Sequence, residues 1–584
     1  MQIITKTLSD IVCAAFECCG YDAALGVVTA SDRVDLCQFQ CNGAMKAAKL
    51  YKKAPIAIAN EVAEILREND IFAKADAVPP GFLNLTLTDA ALLDAVNAAA
   101  LDGGFGIPQA KAGETIVIDY GGANVAKALH IGHLRPAIIG EALKRLAKSV
   151  GATVLGDVHL GDWGLQIGLV IAELEARNPQ WDCFQPDFPA DGSVPELSVP
   201  LLNEVYPAAS AKSKIDKDFS AKAHAATVAL QNREAGCIAL WQEMMRVSVP
   251  DLRKIYDRLN ADFDLWYGES DADVCIAPTL DTVREKGLLK ESDGAWIVEV
   301  VEETDKAPMP PILLRKSDGS SNYETTDLAT IYQRQKDFQP ARIWYVTDNR
   351  QALHFEQVFR CAKKAALVPP ETELVHLPHG TMNGSDGKPY KTRDGGVMRL
   401  EDFLNTVVAA AYKKLNESDY VTQGNKQEVA EKLGIAAIKF GDLVNHRTKD
   451  YVFDMDRFLA FEGKTGVYIL YTITRINSIL KKADFAADTA IIPAVYSDLE
   501  RTMLLSVLLT GETFLRAFDE KALNCLAENA FNLAALFSRF YHDNHILTET
   551  DEAKKQSRLM LCALVKRMLE MHMDVLGIET VENM

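Results

Sequence analysis

The chain has 584 residues, more than one hydrophobic core usually organises, so several domains are expected. With 48% hydrophobic and 24% charged residues, its composition is that of a globular protein and excludes an intrinsically disordered one. The net charge of −19 argues against indiscriminate nucleic-acid binding through bulk charge, although a local basic face would be enough for RNA.

The 11 cysteines form no Cys-x-x-Cys pair, and none has a histidine at zinc spacing. The sequence therefore predicts neither a metal site nor a disulfide framework, and reduced thiols fit a cytoplasmic protein. Acidic residues interrupt the first apolar positions, and no apolar run reaches the roughly 18 residues of a membrane helix. We therefore expect neither a signal peptide nor a membrane segment.

The N-terminal residues 1–108 predict a separate small α+β domain. Apolar side chains at helical spacing over 8–16 and 56–66 predict helices, and the alternation over 82–87 predicts a strand. Nothing in this part of the sequence is catalytic by itself, and a role in packing alone stays open for any one of its residues.

A buried strand followed by a helix stands at the centre of the sequence pattern. The apolar run Ile116–Ile118 suits a strand buried on both faces of a parallel sheet. The helix after it has one apolar face, formed by Ile138, Ile139, Ala142, Leu143, Leu146, Ala147 and Val150. Because proline is tolerated only in the first helical turn, Pro136 requires this helix to begin close to His133.

The segment His130-Ile131-Gly132-His133 therefore lies at a helix N-terminus. Free N–H groups and the positive end of the helix dipole attract phosphate there. Gly121, Gly122 and Gly132 let the backbone or a flat base approach closely. The pattern predicts a phosphate site whose donors are backbone amides and two imidazoles.

This combination resembles the first βα unit of class I aminoacyl-tRNA synthetases. A lone His-x-Gly-His also occurs in other nucleotidyltransferases, but the longer string from Asn124 to Arg135 is similar to the signature of arginyl-tRNA synthetases. The resemblance implies an enzyme of translation that activates L-arginine with ATP and Mg²⁺. It would form arginyl-adenylate and transfer the arginyl group to the 3′-terminal ribose of tRNA(Arg).

The resemblance also assigns roles to the signature residues. It implies that His130, His133 and Gly132 bind ATP and that both imidazoles are catalytic. It implies arginine contacts from Gly122, Ala123, Asn124 and His133, with Asn124 near the α-amino or carboxylate end. Taken alone, each histidine would more often be an ordinary packing or surface residue.

The chain then continues the βαβ arrangement. Residues 152–160 predict a strand, and the Gly161-Asp-Trp-Gly164 motif after it also resembles the family. The family often has Asn where this chain has Val158, before His159, which puts a polar contact near the amino-acid pocket in question. Mixed helical periodicity further on predicts a helical insertion at about 178–270.

The second half of the parallel sheet is predicted to include strands 312–314 and 343–346. Polar side chains at strand exits are where ligands bind in open α/β sheets. A guanidinium needs a carboxylate and further oxygens, so Asp327 is the candidate partner, with Tyr323 and Gln351 shaping the pocket. The resemblance supports all three; from spacing alone, Asp327 is equally a helix N-terminal charge.

The Gly- and Lys-rich loop 379–396 follows the last predicted strand. Class I synthetases place there a Lys-Met-Ser-Lys-Ser loop that closes over the triphosphate, and Lys388 and Lys391 match part of that pattern. The resemblance implies that both lysines bind ATP and are catalytic, with Lys127 compensating for the incomplete motif. On its own, the loop would be a surface hairpin with solvated lysines.

Helical periodicity dominates from residue 430 onward, and 467–478 resembles the first helix of the anticodon-binding domain of arginyl enzymes. Tyr468, Tyr471 and Arg475 follow i, i+3, i+7 spacing, so they are candidates to stack on unpaired tRNA bases. For each tyrosine, burial in the helical core is an equal alternative.

We therefore predict a multidomain α/β plus all-α protein, with a Rossmann-like parallel-sheet catalytic domain, a small N-terminal α+β domain and a C-terminal helical bundle. The predicted domains are an N-terminal domain (1–108), the catalytic domain (109–400), a connecting helical region (401–460) and a C-terminal helical domain (461–584). The resemblance implies that the first contacts the tRNA corner, since Gly81-Phe-Leu-Asn84 is similar to the family's N-terminal domain, and that the last binds the anticodon. A monomer is expected.

Two alternatives stay open at this point. One is a class I synthetase of different amino-acid specificity, or a nucleotidyltransferase that shares only His-x-Gly-His; Asp327 and the helical C-terminal part argue against both. The other is a synthetase-like protein that binds tRNA without charging it, against which the intact His130, His133 and Lys127 argue.

Overall fold

The computed structural model describes residues 3–582 except 32, 34–35, 318–321, 385, 389, 391–397, 418–424 and 486–490. Lys391, a predicted ATP contact, lies outside the described residues. Along the described parts of the chain, none of the helices is long and apolar enough to cross a membrane.

The N-terminal part is α+β, as predicted. Its antiparallel sheet has the order β1-β2-β4-β3 and consists of β1 (Val28–Ala30), β2 (Phe39–Cys41), β3 (Phe72–Val78) and β4 (Phe82–Leu87). Its helices are α1 (Ile4–Cys18), α2 (Gly43–Tyr51), α3 (Pro55–Arg67) and α4 (Asp89–Leu101). In β4, every second side chain is fully buried (Leu83, Leu85 and Leu87), so one face of the sheet packs on the helices.

The signature segment lies between the next strand and helix. This region consists of β5 (Thr115–Asp119), α5 (Leu134–Ser149), β6 (Thr153–Asp157) and α6 (Leu165–Arg177). Helix α5 begins directly after His133 with Pro136 in its first turn, as the position of the proline predicts.

Four helices follow: α7 (Val199–Ser213), α8 (Lys217–Gln231), α9 (Ala235–Arg258) and α10 (Glu269–Glu285). The first three form the insertion between the halves of the parallel sheet. Its Met and Trp side chains belong to the core, since Met244 is fully buried and the Trp241 ring packs on Trp163.

A three-stranded antiparallel sheet comes next, made of β7 (Leu289–Ser292), β8 (Ala295–Val298) and β9 (Ile312–Arg315). The prediction that 312–314 belongs to the parallel sheet is therefore wrong. Leu313 pairs with Ile297 of β8, because a short apolar run specifies a strand but not its partner.

The parallel sheet is completed further along the chain, by α11 (Tyr323–Phe338), β10 (Arg342–Asp348), α12 (Ala352–Lys364) and β11 (Glu373–His379). Its strand order is β11-β10-β5-β6. In the register, Asp119 of β5 pairs with Tyr345 on one side and with Asp157 on the other. Polar side chains therefore meet where these strands end, at the edge expected for a ligand site.

The remainder is almost wholly helical. Its elements are β12 (Met382–Asn383), α13 (Leu400–Glu417), α14 (Lys426–Leu443), β13 (Tyr451–Val452), α15 (Met455–Phe458), α16 (Gly466–Lys482), α17 (Asp498–Leu508), α18 (Thr510–Glu520), α19 (Leu523–Asp543) and α20 (Glu552–Val575). The strands β12 and β13 pair in parallel. The helical part also contacts the N-terminal part, where Arg501 forms an ion pair with Asp89.

A buried ion pair attaches the signature helix to α14. Nε of Arg135 donates to Oδ2 of Asp442 at 2.8 Å, and its Nη1 donates to the Lys449 carbonyl at 3.0 Å. Both side chains of the pair are at most 2% exposed. Arg135 therefore fixes the position of α5 and is not available to a substrate.

We expect Asp442→Asn to lower the free energy of unfolding by about 3–5 kcal/mol, because it leaves the Arg135 charge buried without its counter-ion. Urea unfolding followed by circular dichroism would measure the loss. The control is Glu417→Gln, which breaks an exposed pair with Lys413 and should change stability by less than about 1 kcal/mol. Equal effects of the two variants would contradict this prediction.

Candidate active site

The His-x-Gly-His segment forms one turn of 3₁₀-helix, Ile131–His133, in front of α5. The His130 N–H donates to Nδ1 of His133 at 3.0 Å, and the Gly132 N–H donates to Nδ1 of His130 at 3.1 Å. The two imidazole rings lie 4.0 Å apart between centroids. Each ring is thus fixed by a backbone amide of its own segment.

The other two amides of the segment are also occupied. The Ile131 N–H donates to the Met398 carbonyl at 3.1 Å, and the His133 N–H donates to the His130 carbonyl at 2.8 Å. The expectation that these N–H groups are free for phosphate is therefore wrong. Side chains at a helix start compete for its unpaired amides, and here the imidazoles bind two of them.

Because the Nδ1 of each ring accepts an N–H bond, we assign the proton of each neutral ring to Nε2; Nδ1 of His133 also lies 3.2 Å from the His130 carbonyl oxygen. Burial, with the added effect of His130 and Lys127, lowers the pKa of His133 to about 3. Burial and the Lys127 charge also lower the pKa of His130. At neutral pH the segment thus offers two uncharged Nε2–H donors.

The glycine loop before this segment packs on the Gly-Asp-Trp-Gly motif. Gly122 is exposed with φ +62°, Ala123 is buried and Asn124 is half-buried. The Gly161 N–H donates to the Ala123 carbonyl at 2.9 Å. A Cβ at position 161 would lie 2.3 Å from Oδ1 of Asn124, so this contact requires glycine. Val158 is fully buried, with apolar neighbours, and offers no polar group there.

The lysine loop leaves β11 and forms a turn at its described tip. The Gly384 N–H donates to the Lys388 carbonyl at 2.8 Å, and Lys388 is exposed. The chain returns beside the signature, where the Leu400 N–H donates to the Leu129 carbonyl at 2.9 Å. The loop is thus anchored beside the signature segment, whereas Lys391 lies outside the described residues.

Asp327 and Tyr323 lie one turn apart on α11, around His354 of α12. Oδ2 of Asp327 lies 2.5 Å from Nε2 of His354, and the Tyr323 ring lies 5.2 Å from the His354 ring. Tyr323 is 62% exposed, and Gln351 is exposed where β10 ends. His354 is therefore the partner of Asp327 within the protein.

A second carboxylate near Asp327 belongs to Glu269, the first residue of α10. Asp162 of the Gly-Asp-Trp-Gly motif fixes this helix start, because its carboxylate accepts the N–H (3.0 Å) and the hydroxyl (2.5 Å) of Ser270. Burial raises the pKa of Glu269 to about 7; Asp162 and Asp327 add to this rise, and His159 opposes it.

Arg334 of α11 joins the ends of β5 and β6. It is 1% exposed, and its Nη2 donates to Oδ2 of Asp119 (2.7 Å) and of Asp157 (2.5 Å). Burial raises the pKa of Asp119, against the effect of the guanidinium. Within the described residues, the buried Nε and Nη1 of Arg334, the Tyr345 hydroxyl and both ring nitrogens of His159 have no hydrogen-bond partner.

The charges at this edge do not balance. The carboxylates here belong to Asp119, Asp157, Asp327 and Glu269. In the described part of the chain, Arg334 is the buried guanidinium that faces them. The strand ends therefore form an acidic pocket suited to a cationic ligand.

The predicted RNA-binding residues lie on α16. The Tyr468 hydroxyl is 2.8 Å from Oγ of Ser538, so this tyrosine packs between helices. The Arg475 guanidinium lies 4.6 Å from the Tyr471 ring centre and 5.5 Å from that of Tyr541. Tyr541 is 38% exposed, so the stack of Tyr471, Arg475 and Tyr541 reaches the surface of the bundle.

Comparison with known protein families accounts for nearly the whole chain. Residues 95–455 match the model of the tRNA synthetases class I (R), catalytic domain. The chain belongs to the arginyl-tRNA synthetase family. Residues 1–87 match the arginyl tRNA synthetase N terminal domain, and residues 469–584 match the DALR anticodon binding domain. The predicted family and the predicted fold class are both confirmed.

Individual members of the family match over their full length. The chain is 47% identical to an arginine–tRNA ligase of Alkaliphilus oremlandii and 45% identical to one of Agathobacter rectalis, with 100% of each chain covered. Its fold superimposes on the arginyl-tRNA synthetase of Plasmodium falciparum with a TM-score of 0.82 at 25% identity. The Thermus thermophilus enzyme has the same fold, with a TM-score of 0.81 at 22% identity. Both superpositions cover 100% of either chain.

Sequence reasoning missed two charged residues of the pocket. Glu269 follows Gly268 at a helix start, where an acidic residue is ordinarily explained by the helix dipole. Arg334 lies seven residues, about two turns, after Asp327 and so on the same side of α11. That spacing was a usable signal, whereas nothing near Glu269 in the sequence points to Asp327.

We expect His133 to remain neutral, with its proton on Nε2, from about pH 8 to about pH 5, because burial lowers its pKa to about 3. Nitrogen NMR of labelled histidines would show this, with His133→Asn identifying the signal. As the pH falls from about 6.5 to 3, the unfolded chain binds this proton first, so the stability contributed by His133 decreases. Titration of the signal near pH 6.5 would contradict the prediction.

Proposed function

We propose that this protein is an arginine–tRNA ligase that uses ATP to form arginyl-adenylate and pyrophosphate, transfers the arginyl group to the 3′-terminal ribose of tRNA(Arg), and releases AMP. The observation that carries the proposal is the acidic pocket at the end of β5, the strand that leads into the segment with the two neutral imidazole donors. Full-length relatives with the name arginine–tRNA ligase, at 47% and 45% identity, support it.

In the activation step, a carboxylate oxygen of arginine attacks the α-phosphorus of ATP, and the bond to the β-phosphate breaks. His130 and His133 donate from Nε2 to phosphate oxygens, and the exposed Gly132 leaves room for them. Their Nδ1 bonds fix both rings before ATP binds, so the donors need no rearrangement as charge develops.

The cationic charge for the leaving pyrophosphate comes from Lys127, Lys388 and Lys391. Lys127 is half-buried. The backbone two positions before it is fixed, because the Val125 N–H donates to the Gly161 carbonyl. Lys388 is exposed on the turn of the anchored loop, so it can reach ATP when the loop closes. Lys391 is included because it matches part of the Lys-Met-Ser-Lys-Ser pattern in the sequence.

The arginine side chain binds in the acidic pocket. Its planar guanidinium is held by the Asp327 carboxylate, with Glu269 as a second acceptor and Tyr323 beside them. Substrate nitrogens replace Nε2 of His354 as the donor to Asp327. Gln351, at the end of β10, completes the outer side of the pocket.

The other end of arginine lies toward the signature. Gly122, Ala123, Asn124 and His133 form the wall there. Asn124 is half-buried against the Gly-Asp-Trp-Gly motif, and its amide can hold the α-amino or carboxylate group. His133 is therefore shared between the amino acid and ATP.

The described residues do not form a Mg²⁺ site beside the phosphates. The group of metal-ligating side chains found among them is Asp119, Asp157 and His159, and Arg334 already donates to both carboxylates. We therefore propose that Mg²⁺ enters with ATP as part of the substrate, bound through phosphate oxygens and water.

We propose the same division of labour between domains as the sequence predicts. Residues 1–108 contact the tRNA corner, 109–400 carry the chemistry, 401–460 connect, and 461–584 bind the anticodon. Tyr471 and Arg475 stack on unpaired bases, and Tyr468 supports them from within the bundle. We propose that the protein acts as a monomer.

The decisive experiment is amino-acid-dependent ATP–pyrophosphate exchange, measured with each of the standard amino acids, with and without tRNA. We expect exchange with arginine alone. His133→Ala should lower it by at least about a hundredfold while the protein stays folded, since the variant loses a fixed donor to the phosphates.

Each other result overturns part of the proposal. Exchange with a different amino acid would leave the fold intact but refute the assignment of the pocket. Folded protein without exchange under any condition would support a tRNA-binding protein that does not charge. An active His133→Ala enzyme would refute the role of the signature histidines.

Two variants test the pocket separately. We expect Asp327→Asn to raise KM for arginine on the order of a hundredfold, because a charged bond to the guanidinium is lost.

Glu269 has a pKa of about 7, and a bound cation favours its ionised form, so KM for arginine should rise as the pH falls below 7. Glu269→Gln should abolish that rise. A pH dependence that persists in this variant would remove Glu269 from the pocket.

A further inference from the structure

The ammonium group of Lys127 lies over an aromatic ring of the helical insertion. Its Nζ is 5.4 Å from the ring centre of Tyr206 on α7, and both side chains are half-buried. Among the described residues, no carboxylate lies within ion-pair distance of this Nζ. The Lys127 ammonium group therefore interacts with the protein through a cation–π contact with the Tyr206 ring.

The backbone before Lys127 is held by a second helix of the insertion. Ala126 has φ +60°, in the left-handed region that residues with a Cβ rarely adopt. Its N–H donates at 3.0 Å to Oγ of Ser248 on α9, which is 7% exposed. The serine hydroxyl therefore stabilises the strained turn from which the lysine side chain projects.

The two contacts act on neighbouring residues, Lys127 and Ala126, from different helices. Asn203 of α7 and Asp251 of α9 line the same small cavity as Lys127. The Asp251 carboxylate does not pair with the lysine, although it is nearby. A carboxylate would neutralise the charge, whereas an aromatic ring holds an ammonium group and leaves its charge available to an anion.

We propose that Tyr206 is a positioning residue, which holds the Lys127 ammonium toward the triphosphate of ATP, and that Ser248 supports it by fixing the backbone at Ala126. The inference rests on the proposed catalytic role of Lys127. It gives the helical insertion a function in the activation step, beyond that of filling space between the halves of the sheet. Burial also lowers the pKa of Lys127, which agrees with a cation held away from bulk water.

The test is single-turnover formation of arginyl-adenylate by the full chain in the presence of tRNA(Arg). Tyr206→Leu should lower the rate constant about tenfold, which is about 1.4 kcal/mol, and leave the affinity for arginine unchanged. Tyr206→Phe keeps the ring and should stay within about twofold of wild type. Ser248→Ala should also slow the step, by the loss of the bond to Ala126.

A double-mutant cycle separates positioning from general damage. Tyr206→Leu should have no further effect in the Lys127→Met background, because the ring acts only through the ammonium group. Phe219→Leu is the matched control: it removes the ring under Lys212, at 4.3 Å, in the adjacent part of the insertion. This control should leave the rate unchanged.

The outcomes that overturn the inference are distinct from those that overturn the function. A wild-type rate for Tyr206→Leu, or an equal loss with and without Lys127, refutes the positioning role alone. A wild-type rate for Lys127→Met refutes the role of this lysine and, with it, the inference. Absence of arginine-dependent exchange in the wild-type protein would instead refute the proposed function.

Discussion

The site depends on the hydrogen bonds by which the signature segment satisfies its own amides. The His130 and Gly132 N–H groups bind the Nδ1 atoms of the two imidazoles, so neither ring can rotate or change tautomer without leaving a backbone donor unpaired. The Ile131 N–H binds Met398, so the same segment also anchors the end of the lysine loop. One short turn of helix thereby fixes both imidazole rings and the attachment of the loop.

Charge at the strand ends is arranged so that part of it remains uncompensated. Arg334 lies between Asp119 and Asp157, and breaking this arrangement would leave buried charges without partners. Among the described residues, Asp327 and Glu269 have no arginine or lysine as an ion-pair partner, and Asp327 contacts the imidazole of His354. The Arg334 guanidinium therefore pairs with the carboxylates of Asp119 and Asp157. The carboxylates of Asp327 and Glu269 remain for a cationic ligand.

The helical half of the protein is attached to this site by polar contacts with the backbone. Nη1 of Arg447 donates to the Lys521 carbonyl at 2.7 Å, and the Arg447 carbonyl accepts the Gly380 N–H where the lysine loop begins. The signature helix is tied to the same region through Arg135 and Asp442. The signature segment and the lysine loop are therefore both fixed to the framework that carries the C-terminal helices.

The sequence by itself determined the family, the strand and helix around the signature and the start of α5. These depend on local spacing, on the position of Pro136 and on a long motif. Only the tertiary structure decided what residues distant in the chain do together. In the tertiary structure, 312–314 belongs to a separate antiparallel sheet and Glu269 lies near Asp327. Arg334 pairs with carboxylates at the ends of two strands, and amides of the signature segment donate to its own imidazoles. Hydrogen bonds and buried charges are satisfied in space, and sequence spacing does not specify their partners.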